Sequence, residues 1–509
     1  MAKHDLNRRE WLQRSTAAVL GGAYALQAQS AAPLRPNILL LMADQMRGDC
    51  LGTAGHPAVL TPALDRLAAE GVLFRRAYSS VPSCTPARAA LLTGLGPWKN
   101  GMLGYSRIPE QYAREKPRML REGGYSTCSI GKCHYHPQRN GHGYEKLLLD
   151  ESGRVEAPDF ESDYRRWFRM TAPDLNPDAT GLGWNDYPAR PYALPEELHP
   201  TCWTGNEAVR YLENYREDAP FFLKVSFARP HSPYDPPQRF FDLYADREIP
   251  APVIGDWCAR YAPRASEKDS LWHGDLGTDT VRHSRRGYYG SITFIDEQIA
   301  RILSALEKSG RMENTLILFT ADHGDMLGDH HLWRKTYGYE GSAHIPMILR
   351  APASFDVPCK GVVRDEVVEL RDILPTFLDA AGLGGAEEMD GRSLLQLLRD
   401  DGRSWRPWLD LEHSRCYVDS EQWNGLTDGK SKYLFFGQSG EEQLFDLTAD
   451  PGECVNLAGT PGAASLLELW RRRLADHLQE RGADWVPDGT LKRRPKDVLH
   501  SPNYRQPEG

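Results

Sequence analysis

Short apolar runs alternate along the chain with segments of helical period. Residues 37–43 (NILLLMA) follow a proline and are apolar without alternation, the pattern of a strand buried on both faces. Residues 125–130, 221–227, 315–320 and 345–349 repeat it. Between these runs, Thr61-Pro62 opens a helix, with Thr61 as N-cap and Pro62 at the first helical position. Leu64, Leu67 and Ala68 share one face, and Gly71 lies past the end. Longer helices are predicted over 291–308 and 370–381. Strands alternating with helices predict an α/β fold: a large domain with a mostly parallel central sheet flanked by helices.

The pattern breaks in three places. Residues 150–200 are polar, rich in proline and rich in aromatics, including Tyr164, Trp167, Phe168, Trp184, Tyr187 and Tyr192. Residues 249–283 are similar, with Trp257, Tyr261 and Trp272. Insertions of this kind lie on the surface, where they either shape a cleft or decorate the scaffold. After about residue 405, strand-like pieces at 433–436 and 443–447 predict a small C-terminal α+β subdomain. The expected division is 1–32 as an export signal, 33–404 as the catalytic domain, 405–490 as the subdomain and 491–509 as an extended tail. The export signal is read from Arg8-Arg9, the weakly apolar run that follows, and the small residues Ala28, Ser30, Ala31 and Ala32. That order resembles a twin-arginine signal and implies a periplasmic or secreted protein handled by twin-arginine export machinery. The run is too short and too weakly apolar for a stable membrane span.

Composition changes this picture little. The 509 residues carry 61 basic and 70 acidic side chains, a net charge of −9, which argues against a nucleic-acid partner. The nine cysteines form no CxxC pair and no zinc-ribbon spacing, and their odd number leaves at least one without an intramolecular partner.

The chemistry gathers at strand ends. Asp44-Gln45 follows the first predicted strand, Lys132 and His134 the second, His231 the third and Asp322-His323 the fourth. Ligand sites of open α/β sheets form outside the carboxyl ends of strands, so four such endings point to one composite site. The segment 83–94 (SCTPARAALLTG) adds a helix beginning near Cys84 and ending at Gly94. A helix N-terminus favours an anion, and Arg88 adds a fork of donors suited to an oxyanion. A buried cysteine acting as a small apolar residue is the plain alternative.

Cys84-Thr85-Pro86-Ala87-Arg88 followed by Ala-Ala-Leu-Leu-Thr-Gly resembles the signature of the type I sulfatases, an alkaline-phosphatase-like family. Further elements match in order: 37–45, Gly131-Lys132-Cys133-His134, Arg229-Pro230-His231, Ala321-Asp322-His323-Gly324, Lys335, and the pair 444–447 and 450–457. The resemblance implies that a maturation enzyme converts Cys84 to formylglycine. It implies one divalent metal on Asp44, Gln45, residue 84, Asp322 and His323. Catalytic roles fall to Cys84, Arg88, Lys132, His134, His231 and Lys335. The family's usual ion is calcium; Gln45 and His323 stand where many members carry Asp and Asn, and an imidazole ligand makes manganese the alternative. The implied activity is hydrolysis of sulfate esters of a carbohydrate or aryl group. The alternatives are phosphonate monoester or phosphodiester hydrolysis on the same scaffold, and a non-catalytic carbohydrate-binding protein. His136 and His142 are expected to be solvated or to contact substrate.

Overall fold

The run at 37–43 becomes the core strand of an eight-stranded sheet. The strands are β1 (Asn37–Asp44), β2 (Val72–Phe74), β3 (Ser126–Gly131), β4 (Lys146–Leu149), β5 (Phe221–Pro230), β6 (Thr315–Ala321), β7 (Met347–Arg350) and β8 (Val362–Arg364). Their spatial order is β8-β2-β7-β6-β1-β5-β3-β4. Of the eight, β7 alone runs against its neighbours. The computed structural model describes residues 35–265, 272–414 and 417–505. The expected export signal therefore lies outside the described residues, as do Cys416 and 506–509. From Pro36 onward the chain is one compact unit.

The helices that position the site are α1 (Pro62–Ala69), α2 (Cys84–Thr93), α3 (Pro200–Asn214), α4 (Thr278–Lys308), α5 (Ile373–Ala381) and α6 (Ala464–Leu478). Helices α1 to α5 cover both faces of the sheet, which is why the central strands are apolar without alternation. Adjacent residues of β5 make the point. Phe221 packs on Tyr211 and Tyr215, at and just beyond the end of α3, and Phe222 on Phe377 of α5, and neighbouring side chains of a strand point to opposite faces.

Two elements depart from expectation. The run 345–349 is cut at Pro346: His344–Ile345 pairs with Ala77–Tyr78 in a separate three-stranded sheet, and β7 joins the main one. Proline has no N–H to continue a ladder. Helix α4 starts at Thr278, well before the expected 291, because Gly287 and Gly290 serve close packing and not termination. A Cβ on Gly287 would sit 2.5 Å from the Ala189 Cβ, and one on Gly290 2.9 Å from Pro236. The segment 150–200 is also less irregular than expected. It contains a helix, Asp163–Thr171, capped by Ser162 Oγ, and its Tyr164, Phe168 and Tyr192 pack with Trp203 into a cluster of their own.

The C-terminal region is a four-stranded antiparallel sheet, β9 (Leu409–His413), β10 (Trp423–Thr427), β11 (Ser431–Phe436) and β12 (Glu442–Asp446), with α6 packed on it. Residues 491–505 form no helix or strand of their own and return to the first half of the chain. Ser501 N donates to Gly101 O at 3.0 Å and Tyr504 Oη to Arg107 O at 2.7 Å. The eight described cysteines are all free thiols. No helix among the described residues is long and apolar enough to cross a membrane.

Candidate active site

The strand-end residues converge because their four strands are parallel neighbours in the order β6, β1, β5, β3. Local irregularities aim them. Ala43 pairs with Phe227 but Asp44 with Pro230, so β5 bulges and His231 is turned toward β1, where its N–H donates to Asp44 O at 3.0 Å. Gly131 ends β3 at φ +92°, and a Cβ there would lie 2.1 Å from Ser226 O. Glycine is thus required at the turn that delivers Lys132.

Helix α2 begins at Cys84, with Ser83 extended at the N-cap and Gly94 closing the far end at φ 70°. Cys84 is 1% exposed. Its Sγ lies 3.2 Å from His323 Nε2 and 4.0 Å from Asp44 Oδ1. One ligand atom from each of Asp44, Cys84, Asp322 and His323 falls within 4.8 Å of the others, all four residues being buried. The His323 Nδ1 bonds to Gly324 O at 2.9 Å, which fixes the tautomer and leaves Nε2 facing the group. Two carboxylates and an imidazole around one point make a donor set that fits a divalent cation.

Cations surround this group. Arg88 reaches Asp322 Oδ2 through Nε and Nη2, both at 2.9 Å, stands 3.7 Å from Asp44, and donates through Nη1 to Lys132 O at 2.9 Å and more weakly to Ser226 Oγ. Lys132 is bonded to Asp44 Oδ2. Lys335 Nζ donates to Gln45 Oε1 at 2.6 Å and meets His231 Nε2 at 2.8 Å. The His231 Nδ1 bonds to Ser232 O at 2.9 Å, so Nε2 is the acceptor for Lys335. His134 stands apart: its Nε2 meets Tyr105 Oη at 3.3 Å, while its buried Nδ1 has no partner.

This field sets protonation. Burial would raise the Cys84 thiol, but Lys335, Lys132 and His323 outweigh it and the repulsion of Asp44, and bring it down to about 7. Burial opposes ionisation of Asp44 too, yet Lys132, His231, Arg88 and His323 hold it well below the usual carboxylate range. His231 and His134 are pulled well down, first by burial, then by Lys335 and by Arg154 respectively, so both rings are neutral. His323 is raised against its burial by Asp322 and Cys84.

The structure brings Asp44, Cys84, Arg88, Lys132, Asp322 and His323 into one cluster, with Gln45, His231 and Lys335 as a chain beside it. Gln45 Oε1 faces Lys335, and its Nε2 donates to Asp325 Oδ2. His142 is not solvated; it is buried at a backbone φ of 45° and bonded to Glu115 Oε1 at 2.8 Å. His136 pairs with Glu156 at 2.9 Å, half-buried. Sequence reasoning missed Asp325, which also takes Tyr234 Oη, and Glu151, whose Oε1 accepts the N–H groups of Cys133 and His134 at 2.9 Å each. Trp184, from the aromatic segment 150–200, lies with its ring 4.5 Å from His231 and 4.6 Å from Lys132 Nζ. Asp325 could have been found as the next carboxylate after the β6 motif; nothing local marks Glu151.

Comparison with known proteins finds a family for the chain. The family described as sulfatase matches residues 36–383, and that described as N-sulphoglucosamine sulphohydrolase, C-terminal, matches 328–480. An arylsulfatase of Clostridium perfringens is 39% identical over 474 residues, covering 90% of this chain and 97% of its own. A choline-sulfatase of Rhizobium meliloti is 30% identical over 84% of this chain and 83% of its own. The crystal structure of a phosphonate monoester hydrolase of Agrobacterium radiobacter superposes with a TM-score of 0.73 at 26% identity, covering 91% of this chain and 100% of that one.

Proposed function

Because the chain belongs to the sulfatase family and is a sulfate-ester hydrolase, we propose that its nucleophile is formylglycine made from Cys84 and that its substrate is a sulfated carbohydrate or an aryl sulfate. The observation that carries this reading is the position of Cys84: the first residue of a helix, buried, facing His323 and two carboxylates, with two lysines in electrostatic reach. A divalent cation on Asp44, Asp322 and His323, with Gln45 alongside, would polarise the sulfate and favour ionisation of the attacking hydroxyl. The hydrated aldehyde at residue 84 supplies one hydroxyl for attack at sulfur and a second whose ionisation expels sulfate.

The side chains divide the remaining work. Arg88 clamps Asp44 and Asp322 and so fixes the ligand set. Lys132 and Lys335 neutralise the sulfate oxygens as charge shifts toward the leaving oxygen. Since His231 is held neutral and its Nδ1–H is committed to Ser232 O, the proton for the leaving oxygen comes from Lys335 itself, which the bond to His231 Nε2 holds in place. His134, neutral and with a bare Nδ1, takes the proton from the second hydroxyl. Calcium and manganese are the two ions the ligand set supports, and metal analysis of the purified enzyme separates them. The Arg8-Arg9 segment makes twin-arginine export to the periplasm or beyond part of this reading, with 33–404 as catalytic domain and 405–490 as its subdomain.

The test is the mass of the tryptic peptide 77–88 in protein from a host that carries the maturation enzyme. Conversion lowers it by about 18 Da; an unmodified thiol in active enzyme overturns the nucleophile. His323 in the ligand group and the likeness to the phosphonate monoester hydrolase favour one second reading. Turnover of 4-nitrophenyl sulfate against a 4-nitrophenyl phosphonate decides it, and faster phosphonate turnover overturns the sulfate assignment.

A further inference from the structure

The two ring nitrogens of His134 have different surroundings, and a tyrosine far from the strand-end motifs tells them apart. A neutral imidazole carries one N–H, so Nδ1 can take a proton only while the hydrogen sits on Nε2. The backbone of His134 is well held: φ is 59°, its N–H bonds to Glu151 Oε1, and Arg154 pairs with Glu151 Oε2. The ring has less to hold it. Among the described residues its one hydrogen bond joins Nε2 to Tyr105 Oη at 3.3 Å, and the two rings meet edge to face with centroids 6.0 Å apart. Nδ1 is buried with no partner. Tyr105 is 49% exposed. Its hydroxyl hydrogen can turn to solvent while Oη accepts from Nε2–H, which leaves Nδ1 bare. The reverse arrangement, with Oη donating to Nε2, would place an unmatched N–H at buried Nδ1.

Tyr105 is itself fixed from two sides. Beside it, Ser106 N donates to Thr85 Oγ1 at 3.3 Å, and Thr85 follows Cys84 on α2. From the far end of the chain, residues 499–504 lie along 101–107. Leu103 N donates to Leu499 O at 3.2 Å, Ser501 N to Gly101 O at 3.0 Å, and Tyr504 Oη to Arg107 O at 2.7 Å. Gly101, at φ +93°, allows this approach: a Cβ there would lie 2.5 Å from Tyr504 Cα. The segment that bears Tyr105 is thus tied both to the helix of Cys84 and to the C-terminal segment.

We propose that Tyr105 is a positioning residue, holding the His134 proton on Nε2 so that Nδ1 stays free to act as base, and that residues 499–504 are the clamp that keeps Tyr105 in place. This rests on the formylglycine reading, in which His134 serves the half of the reaction that releases sulfate, and adds how that base is made ready.

The experiment is steady-state turnover of 4-nitrophenyl sulfate. Tyr105→Phe keeps the ring contact and removes only the hydroxyl. It should lower kcat by about tenfold, a part of the roughly 10²–10⁴-fold that a general base supplies. KM should fall with it and kcat/KM stay within about twofold, because the step that His134 serves follows departure of the phenol. Tyr504→Ala should move kcat and KM the same way by a smaller factor and add nothing in the Tyr105→Phe background. Tyr504→Phe, which removes only the bond to Arg107 O, covers a misfolded Tyr504→Ala. A fall in kcat/KM at unchanged KM, an unchanged kcat in Tyr105→Phe, or Tyr504 and Tyr105 effects that multiply would overturn the proposal. If wild type does not cleave the ester, or its peptide 77–88 keeps an unmodified thiol, the functional reading has failed on its own. Nitrogen NMR of histidine-labelled protein, with His134 assigned by its loss in His134→Gln, then judges the tyrosine. An Nε2–H ring in wild type that becomes a mixture of tautomers in Tyr105→Phe supports it; an Nδ1–H ring in wild type, or identical signals in both proteins, sinks it.

Discussion

Lys335 shares one ammonium group between Gln45 Oε1 and His231 Nε2, and this fixes what each neighbour can do. A histidine that accepts from a lysine is not itself the acid. Replacing Lys335 by Met should therefore slow cleavage by about 10²–10⁴-fold for an alkyl sulfate, whose leaving oxygen needs a proton, and much less for 4-nitrophenyl sulfate. Equal losses on both esters would return the proton to another group. Cys84→Ala should remove more than about a thousandfold of activity on either ester, read in the same assay. Outside the site, His330 offers a stability switch. It is buried, its ring lies 4.6 Å from that of Trp257, and its Nδ1 accepts from Gly255 N at 3.1 Å. Burial, against the pull of Asp329, brings it down to about 4. The unfolded chain binds that proton near pH 6.5, so between pH 6.5 and 4 the unfolded state carries more protons. The contribution, about 3 kcal/mol, is fully present above pH 6.5 and lost as pH falls toward 4. His330→Asn, which tolerates the φ of 55° found there, should flatten the urea midpoint over that window. At this scale the sequence was most legible where side chains sit beside strand ends, as with Asp44 and Asp322. It was silent where a group comes from far along the chain, as with Glu151, because contact at a distance leaves no local pattern.

At the scale of elements, the strands were readable and the helix limits less so. Continuous apolar runs identify β1 and β6 because both faces are covered. The start of α4 was hidden because Gly287 and Gly290 look like breakers, and their packing against Ala189 and Pro236 is tertiary information. Helix α1 holds a related lesson. Thr61 is its N-cap, but the Thr61 hydroxyl bonds to Asp65, and the free N–H groups of Ala63 and Leu64 are taken at 2.9 and 2.8 Å by Asp296 from the middle of α4. Asp296→Ala should cost about 1–2 kcal/mol in chemical denaturation, the scale of a lost cap. Gly131→Ala should be more severe, about 2 kcal/mol or above, since Ser226 O blocks the new methyl, and kcat should fall with it because Lys132 is the next residue. A mutant with unchanged stability and activity would mean that β3 can yield where the packing says it cannot.

Across the whole molecule, the C-terminal sheet is part of the active site's support. Trp423 Nε1 donates to Thr336 O at 2.9 Å, Tyr417 Oη to Lys335 O at 3.2 Å, and Lys432 is buried between Glu340 and Glu453 at 2.7 and 2.8 Å. A chain cut at residue 404 should therefore fail to give active enzyme even though every strand of the main sheet is present, which expression and assay of the truncated protein would check. The sequence indicated that a second sheet follows residue 405; it could not indicate that this sheet buttresses Lys335.

The bond between Ser83 Oγ and His413 Nε2, 2.9 Å long, closes a loop of 330 residues. The residue just before the helix of Cys84 thus waits for a partner made much later. At ordinary synthesis speeds the interval is roughly 15–65 seconds. Once past the exit tunnel, the segment around Cys84 lacks the partner that ties down Ser83. Synthesis itself therefore opens a timed window in which a reagent in the surroundings can reach a side chain that the finished fold leaves 1% exposed.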